Sequence, residues 1–400
     1  MMPKIGGLVI VAVLVACTAS GTDDERALEP SGSDSDAGAS ILDAAAPPED
    51  AAASDADADA GAEPTLICGD AGFCETKLPM SDSGTPLSLR GVWVVGSNDV
   101  WSVSLEGFVL HYDGAQWNIE FRAGHELYSV WATSNHVWVG GEGGILLHRD
   151  ASRQWALVDV GHIAPIHAIY GTGDDDVWFT REDASIDHFD GTMVTNQPSG
   201  IDGLEITTVF GRLGVGTYAA GRVRPVFTTS GSVPDQPYVL ALSTSGMTIF
   251  NTSLTTLRGF SPLSGFVADS PPDGPKVFLV GYNESRTVQS GVLVRTLFNI
   301  KYTVFDVDDT AAIKTFVPVS IQPPLGLYPE WRIGAWVRSF SDIQLLPNTA
   351  NVLRWNGQAF TVMPLAMGYE HPFSTAFAAH NAGTDAWVVG NGFALKGAMP

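Results

Sequence analysis

The chain is short of basic residues: it has 21 Lys and Arg against 44 Asp and Glu, for a net charge of −23. Binding to a phosphate backbone depends on clustered Lys and Arg, so this composition argues against a nucleic-acid partner. The same acidic surface is repelled by anionic lipid headgroups, so membrane attachment would have to come from another feature of the chain.

Long hydrophobic runs are also missing. The longest covers residues 5–16, directly after Lys4. About twelve helical residues span ~18 Å, short of the ~30 Å core of a bilayer. This length, with a basic residue in front, is typical of a signal peptide rather than a transmembrane helix.

The run ends in Leu14-Val15-Ala16-Cys17. This tetrad resembles the lipobox of bacterial lipoproteins, and the resemblance implies that Cys17 is diacylated and becomes the first residue of the mature chain. The residue after Cys17 is Thr18 and not the Asp that retains such lipoproteins in the inner membrane. The resemblance therefore implies an outer-membrane lipoprotein that faces the periplasm or the cell surface. An ordinary signal peptide with an incidental cysteine is the alternative.

Residues 18–64 contain thirteen Asp and Glu but a single basic residue, Arg26, in a background of Ala, Ser, Gly and Pro. A segment with so few aromatic and β-branched residues buries too little apolar surface to offset its ordering entropy. We therefore divide the chain into a lipoprotein signal peptide (residues 1–17), a disordered acidic tether (18–64) and one folded domain (65–400).

Cysteine is scarce as well, with three residues in the chain. Besides Cys17 there are Cys68 and Cys74, and such a pair in an exported protein predicts a disulfide. A thiolate metal site is disfavoured because no further cysteine exists to complete it.

The strongest positive signal is an internal repeat. Its first aromatic residue recurs at Trp93, Trp131 and Tyr170, which gives periods of 38 and 39 residues. Each copy holds four short apolar or alternating runs separated by Gly, Asn, Asp or Ser, the pattern of strands and turns. Four strands in about 40 residues form the blade of a β-propeller. The fold class is therefore all-β.

Weaker copies follow, and the whole pattern favours seven blades, with six or eight as alternatives. The last copy has three strands, so residues 73–80 are predicted to supply the fourth and thereby to close the ring, because open sheet edges are a liability.

The repeats resemble those of predicted bacterial lipoproteins with Val-Trp-x-Val-Gly and Leu-His-Tyr-Asp-Gly units. They are more distantly similar to kelch, Asp-box and photosystem-assembly-factor propellers. The close match covers residues 87–190 and 374–396, and the Asp-box order of residues is absent. This resemblance implies a fold and no particular function, because propellers host many unrelated functions.

No motif for nucleotide, phosphate or hydrolytic chemistry occurs in the sequence. Asp174, Asp175 and Asp176 lack the alternation of a calcium loop, and we interpret them as a turn. His111, His148 and His188 recur at one repeat position, and we interpret them as structural residues of separate blades. Asp113, Asp150 and Asp190 recur likewise as turn-formers. We therefore predict no catalytic residue, no metal and no cofactor.

Ligands of propellers usually bind where loops cluster at one end of the blades. The candidate binding-face residues are those that the repeat places in loops between second and third strands: Glu106, Glu142, Arg181, Glu182, Asp183, Glu284 and Arg286.

We expect a monomeric, non-enzymatic protein that is membrane-attached through its lipid alone and that binds a protein or a glycan or serves as an assembly scaffold. One alternative is a hydrolase or lyase acting on extracellular polysaccharide, for which Arg181, Arg222 and Arg224 are the candidate arginines. Another is a spacer without a ligand.

Overall fold

Short β-strands make up most of the described chain. The structure, a computed structural model, describes residues 68–69, 72–181, 184–223, 227–228, 231–232, 236–250, 260–269, 274–289, 292–306, 314–321, 334–339, 342–346, 351–356, 360–365, 376–382 and 385–398. All of them lie within the unit Ala62–Pro400. Cys17 and the residues of the predicted signal peptide and predicted tether lie outside this described part.

The first three sheets contain the clearest copies of the repeat. A preceding strand, β1 (Phe73–Thr76), belongs to the last sheet. Sheet 1 consists of β2 (Leu89–Gly96), β3 (Asp99–Ser104), β4 (Phe108–Tyr112) and β5 (Trp117–Arg122). Sheet 2 consists of β6 (Leu127–Ala132), β7 (Val137–Gly141), β8 (Leu146–Arg149) and β9 (Trp155–Leu157), with a 3₁₀ turn (Glu142–Gly144) between β7 and β8. Sheet 3 consists of β10 (Ile169–Gly173), β11 (Asp176–Thr180), β12 (Ser185–Phe189) and β13 (Val194–Pro198).

The later sheets keep the same order of strands but vary in length. Sheet 4 consists of β14 (Leu204–Arg212), β15 (Gly216–Val223), β18 (Gln236–Ser243) and β19 (Gly246–Ile249), and a two-stranded ribbon, β16 (Phe227–Thr228) with β17 (Gly231–Ser232), is inserted in it. Sheet 5 consists of β20 (Phe260–Asp269), β21 (Pro275–Gln289), β22 (Val292–Asp306) and β23 (Lys314–Ile321). Sheet 6 consists of β24 (Gly334–Ser339), β25 (Asp342–Leu346), β26 (Asn351–Trp355) and β27 (Phe360–Pro364).

Sheet 7 joins the two ends of the described chain. It contains β28 (Ala376–Ala382), β29 (Asp385–Gly390) and β30 (Phe393–Ala398), and β1 pairs antiparallel with β30 from Phe73 opposite Gly397 to Thr76 opposite Ala394. The strand predicted over residues 73–80 is thus present in its first half. The all-β, four-stranded architecture is confirmed, while the number of blades in the whole chain and the closed ring stay predictions with which this pairing agrees.

The disulfide predicted from the cysteine pair is present. Cys68 is bonded to Cys74, and Cys74 lies in β1 opposite Lys396. The covalent link therefore constrains the segment that enters sheet 7.

The hydrophobic core lies between neighbouring sheets rather than inside any one of them. Trp101 of sheet 1 shares an apolar cluster with Val130 of sheet 2, and Trp131 of sheet 2 shares one with Ile169 of sheet 3. The seam between sheets 7 and 1 is filled by Trp387, Trp117 and neighbours. Large flat side chains suit these layers because each buries about 150–250 Å², so the contacts between sheets remove apolar surface from water and stabilise the fold.

Within the part of the chain that the structure describes, no helix has the length and apolar character needed to cross a membrane.

Candidate functional site

The first strand of most sheets contains a β-bulge near its start. The register of β2 shifts between Leu89 and Gly91, that of β6 between Leu127 and Ser129, and that of β14 between Ile206 and Thr208. The register of β20 shifts between Pro262 and Ser264, and that of β28 between Ala376 and Ala378. A bulge leaves one residue outside the ladder and re-aims its side chain. The bulged residues of the first, second and fourth sheets are Arg90, Tyr128 and Thr207.

These side chains line a central cavity of about 380 Å³. The first strands of all seven sheets contribute to its wall, and His167, which precedes β10, occupies in sheet 3 the place that the bulged residues occupy elsewhere. Four functional groups therefore follow one another around one end of the cavity, in the order of sheets 1 to 4: the guanidinium of Arg90, the phenol of Tyr128, the imidazole of His167 and the hydroxyl of Thr207. Convergent polar and aromatic groups in a concave site are typical of ligand binding.

Neighbouring sheets hold these groups in place. The rings of Tyr128 and His167 lie 4.8 Å apart. The hydroxyl of Thr207 donates a hydrogen bond of 2.8 Å to the carbonyl oxygen of Pro262, which lies in the next sheet. This end of the cavity is therefore braced between blades, which favours a preformed site.

The other end of the cavity is aromatic. Trp93 stacks on His380 with ring centroids 3.9 Å apart, and Tyr170 lies 6.2 Å from Trp93. Burial raises the pKa of Tyr170 to about 12 and lowers the pKa of His380 to about 4. Both side chains are therefore uncharged at neutral pH.

The predicted binding-face loops open at the same end as Arg90, because Leu89 pairs with Ser104 at the edge of the loop between β3 and β4. Glu106 lies in that loop, and both of its carboxylate oxygens accept the backbone N–H of Ser88 at 3.1 Å. It therefore positions the chain that enters β2. Glu142 is exposed and begins the 3₁₀ turn between β7 and β8.

Arg181 lies in the corresponding loop of sheet 3, where it faces a buried carboxylate. Its guanidinium is 3.8 Å from Asp187, which also accepts a hydrogen bond of 2.7 Å from Nε2 of His162. Nδ1 of His162 accepts the backbone N–H of Ala164, so Nε2 carries the ring proton that is donated to Asp187. The cluster thus stabilises the loop before β10. Glu182 and Asp183 lie outside the described residues.

The placement of Glu284 and Arg286 in a loop is wrong. Both lie inside β21, which continues to Gln289 and pairs with β22. The polar run that suggested a turn is accommodated in a long hairpin because β22 satisfies its backbone groups. The arginines weighed for an enzyme are also engaged: Arg222 forms an ion pair of 3.5 Å with Glu205. Arg224 lies outside the described residues.

The repeated histidines are structural, as predicted. Each lies in its own sheet and stacks on a tryptophan of the adjacent strand: His111 on Trp101, His148 on Trp138 and His188 on Trp178. In sheets 1 and 3 an aspartate, Asp99 or Asp176, accepts hydrogen bonds from both rings.

The repeated aspartates form turns, as predicted. Asp113 accepts the N–H groups of the following turn, as does Asp190. The adjacent Gly114 and Gly191 have φ of 100° and 90°, a region that L side chains rarely adopt. Among the described residues, no group of three or more His, Cys, Asp or Glu side chains is placed to hold a metal ion.

Sequence reasoning missed the cavity residues Arg90, Tyr128 and His167. The signal that could have found them is their repeat column: each follows Leu or Ile, precedes a small residue and stands three positions before the first aromatic. Polar or large groups in that column do not suit a buried strand face, and this points to a special backbone position.

No protein family and no curated protein matches the chain. Solved structures do. A structure described as YCF48 bound to D1 peptide is 13% identical with a TM-score of 0.56, over 84% of this chain and 100% of that one. A catalytically inactive virginiamycin B lyase from Staphylococcus aureus with quinupristin is 11% identical with a TM-score of 0.53, over 81% and 98%.

The structure of U3-55K is 9% identical with a TM-score of 0.53, over 82% of this chain and 99% of that one. These similar folds belong to proteins of varied function at very low identity, so they bear on architecture and not on activity. The described sheets and these similarities together show that the chain has a β-propeller fold.

Proposed function

We propose that this protein is an exported, lipid-anchored β-propeller that binds a segment of a partner protein at the Arg90 end of its central cavity. The lipid anchor rests on Leu14-Val15-Ala16-Cys17, and the acidic tether of residues 18–64 would hold the propeller away from the membrane surface.

The observation that carries the proposal is the ring of side chains at one end of the cavity. Bulges turn Arg90 and Tyr128 out of their ladders, and His167 extends the ring. A strand that serves only packing needs no bulge, so the same irregularity in several blades argues for a role at the cavity. The groups present can donate hydrogen bonds to backbone carbonyls and contact apolar side chains of a peptide.

An exposed apolar residue at the same end favours a protein partner. Ile163, in the loop before β10, is 85% exposed. The hydrogen bond between His162 and Asp187 anchors the loop beside it, so Ile163 is presented on a fixed support. Fixed apolar side chains next to polar groups are typical of protein-binding surfaces. The similar fold of YCF48, whose structure contains the D1 peptide, supports this choice over a glycan.

Site-specific crosslinking in the native envelope tests the proposal. A photoreactive benzoylphenylalanine replaces Tyr128 in the full chain, and a matched chain carries it at Val362, which is 62% exposed on the outer strand of sheet 6. We expect one discrete protein adduct from position 128 that is lost in an Arg90→Ala background. Equal adducts from both positions, or none from position 128, would refute the proposal.

The anchor has a separate test. A Cys17→Ala chain should leave the membrane fraction, and the intact mass of the wild-type chain should show the added acyl groups. A Cys17→Ala chain that stays membrane-bound would contradict lipid anchoring.

A further inference from the structure

One residue in each of the early blades packs across the seam onto the tryptophan of the preceding blade. Tyr112 of sheet 1 lies 4.7 Å from Trp387 of sheet 7, and Phe189 of sheet 3 lies 4.8 Å from Trp138 of sheet 2. Each of these two residues directly follows the structural histidine of its third strand. An aromatic ring therefore fills these two seams.

Arginine replaces the aromatic ring at the seam between sheets 1 and 2. Arg149 takes this position, and its guanidinium carbon lies 5.1 Å from the ring centroid of Trp101. A cavity of about 410 Å³ opens at this seam, lined by both residues. It lies at the end of the blades where the first strand turns into the second, opposite the loops around Glu106.

A second arginine lines the same cavity. Arg153, in the turn between β8 and β9, has φ of 66° and is the one residue other than glycine with positive φ among the described residues. The hairpins of sheets 1 and 3 are one residue shorter, and their positive φ lies at Gly114 and Gly191, each directly after the turn aspartate. An arginine held in a costly backbone conformation suggests a role for its side chain.

The two guanidinium groups have no carboxylate within ion-pair distance in the part of the chain that the structure describes. Asp99 lies in the same cavity, but it already accepts hydrogen bonds of 2.8 Å from Trp101 Nε1 and 2.9 Å from His111 Nε2. The cavity thus contains two carboxylates and two arginines, and because neither guanidinium is ion-paired among the described residues, both can bind an anionic group of a ligand.

The remaining wall indicates what else the ligand carries. Trp155, which is partly exposed, offers an indole ring, and Glu120 and Asn98 offer oxygen atoms that accept hydroxyl protons. The carboxylate of Glu120 repels any anionic group placed beside it but accepts hydrogen bonds from hydroxyl groups, so the charge of the ligand must lie at the arginines and its hydroxyl groups beside Glu120. Aromatic rings pack on the apolar face of a pyranose.

The geometry points to a binding site for an acidic saccharide, a pyranose that bears a carboxylate, in the seam between sheets 1 and 2. Arg149 and Arg153 bind the carboxylate, Trp155 packs on the sugar ring, and Glu120 accepts its hydroxyl groups. The site does not depend on the function proposed for the central cavity, and it adds a second, chemically different ligand.

Isothermal titration of the full chain with tetragalacturonate tests this site, with maltotetraose and inorganic phosphate as comparison ligands. Two variants remove the charges without opening a hole. Arg149→Phe introduces the aromatic ring that Tyr112 and Phe189 supply at two other seams, and Arg153→Gly relieves the positive φ. Arg122→Ala, at the surface ion pair with Asp82, is the matched control.

We expect tetragalacturonate to bind at least tenfold more tightly than either comparison ligand. Each of the two variants should weaken this binding at least tenfold, with an unchanged or higher melting temperature, and the control should bind as the wild type does. Equal binding of maltotetraose, stronger binding of phosphate, no binding of tetragalacturonate, or unchanged affinity in both variants would each overturn the proposal.

Discussion

Nδ1 of His380, in the first strand of sheet 7, accepts a hydrogen bond of 2.9 Å from the backbone N–H of Val94 in the first strand of sheet 1. The same imidazole stacks on Trp93. One side chain thus joins the last and the first sheets at the cavity wall, next to the strand pairing between β1 and β30.

The burial of His380 predicts that the folded chain loses stability in acid. Burial lowers the pKa of His380 from 6.5 to about 4, so the unfolded chain binds a proton more readily than the folded chain between these values. The free energy of unfolding is therefore highest above pH 6.5, and it decreases by up to about 3 kcal/mol as the pH falls toward 4. Urea unfolding between pH 4 and pH 7.5 measures it.

A His380→Phe variant should keep the stacking on Trp93 and lose this part of the pH dependence. It should also lose about 1 kcal/mol at pH 7.5, because the N–H of Val94 is left without its acceptor. His125→Gln, at an exposed histidine, is the control and should retain the wild-type slope. A His380→Phe chain that also retains it would contradict the assignment.

The second prediction concerns the blade in which a histidine replaces the repeat aspartate. His136 lies 2.8 Å from Nε2 of His148, and burial together with His136 lowers the pKa of His148. His136→Asp places a negative charge where sheets 1 and 3 have Asp99 and Asp176, so the pKa of His148 should rise.

A titration of the ring protons by NMR measures this shift. Asp150→Asn is the opposite control: Asp150 raises the pKa of His148, so its neutralisation should lower that pKa further. The same direction of shift in both variants would show that the interaction is misassigned.

The third prediction concerns a hairpin turn. Hydrogen bonds from Thr192 and Met193 hold the pKa of Asp190 at about 2, below its ordinary value of 3.8. The ionised carboxylate of Asp190 therefore stabilises the folded chain above pH 3.8, and this stabilisation is lost as the pH falls toward 2. Carboxyl titration by NMR should give a midpoint near 2.

Asp190→Asn, which keeps an acceptor oxygen, should lower the melting temperature less than Asp190→Ala at pH 7. If both variants melt at the wild-type temperature, the turn does not depend on this carboxylate.

The fourth prediction tests the strand that joins the ends. Phe73 of β1 is 3% exposed and packs edge-on against Trp336, with ring centroids 5.9 Å apart. Phe73→Ala should lower the free energy of unfolding by about 3 kcal/mol, since it leaves a cavity in the seam of sheets 6 and 7.

Met80, a few residues later, is 57% exposed, and Met80→Ala should change stability by less than about 0.5 kcal/mol. Urea unfolding of the two variants compares them directly. Equal effects would mean that β1 is not an integral strand of sheet 7.

The repeat was predictable where it is regular. Trp101, Trp138 and Trp178 stand at equivalent positions of second strands. The histidines of the third strands and the aspartates of the turns after them also lie where the pattern predicts them. These features depend on alternation and turn chemistry over a few residues, which are local properties of the chain.

Prediction failed where a long element overrode local signals. Glu284 and Arg286 have the composition of a turn, yet they lie in a strand of fifteen residues because β22 offers a partner of equal length. Arg149 and Arg153 gave no signal of a shared cavity, since their relation depends on Trp101 of the preceding blade.

The amino-acid sequence by itself determined the class of fold, the four-stranded unit, the disulfide and the turn residues, because each follows from patterns within about forty residues. Only the tertiary structure decided which side chains meet at the central cavity and in the seams. Arg90, Tyr128 and His167 are about forty residues apart along the chain, and they converge because their blades pack side by side and bulges re-aim the side chains of Arg90 and Tyr128.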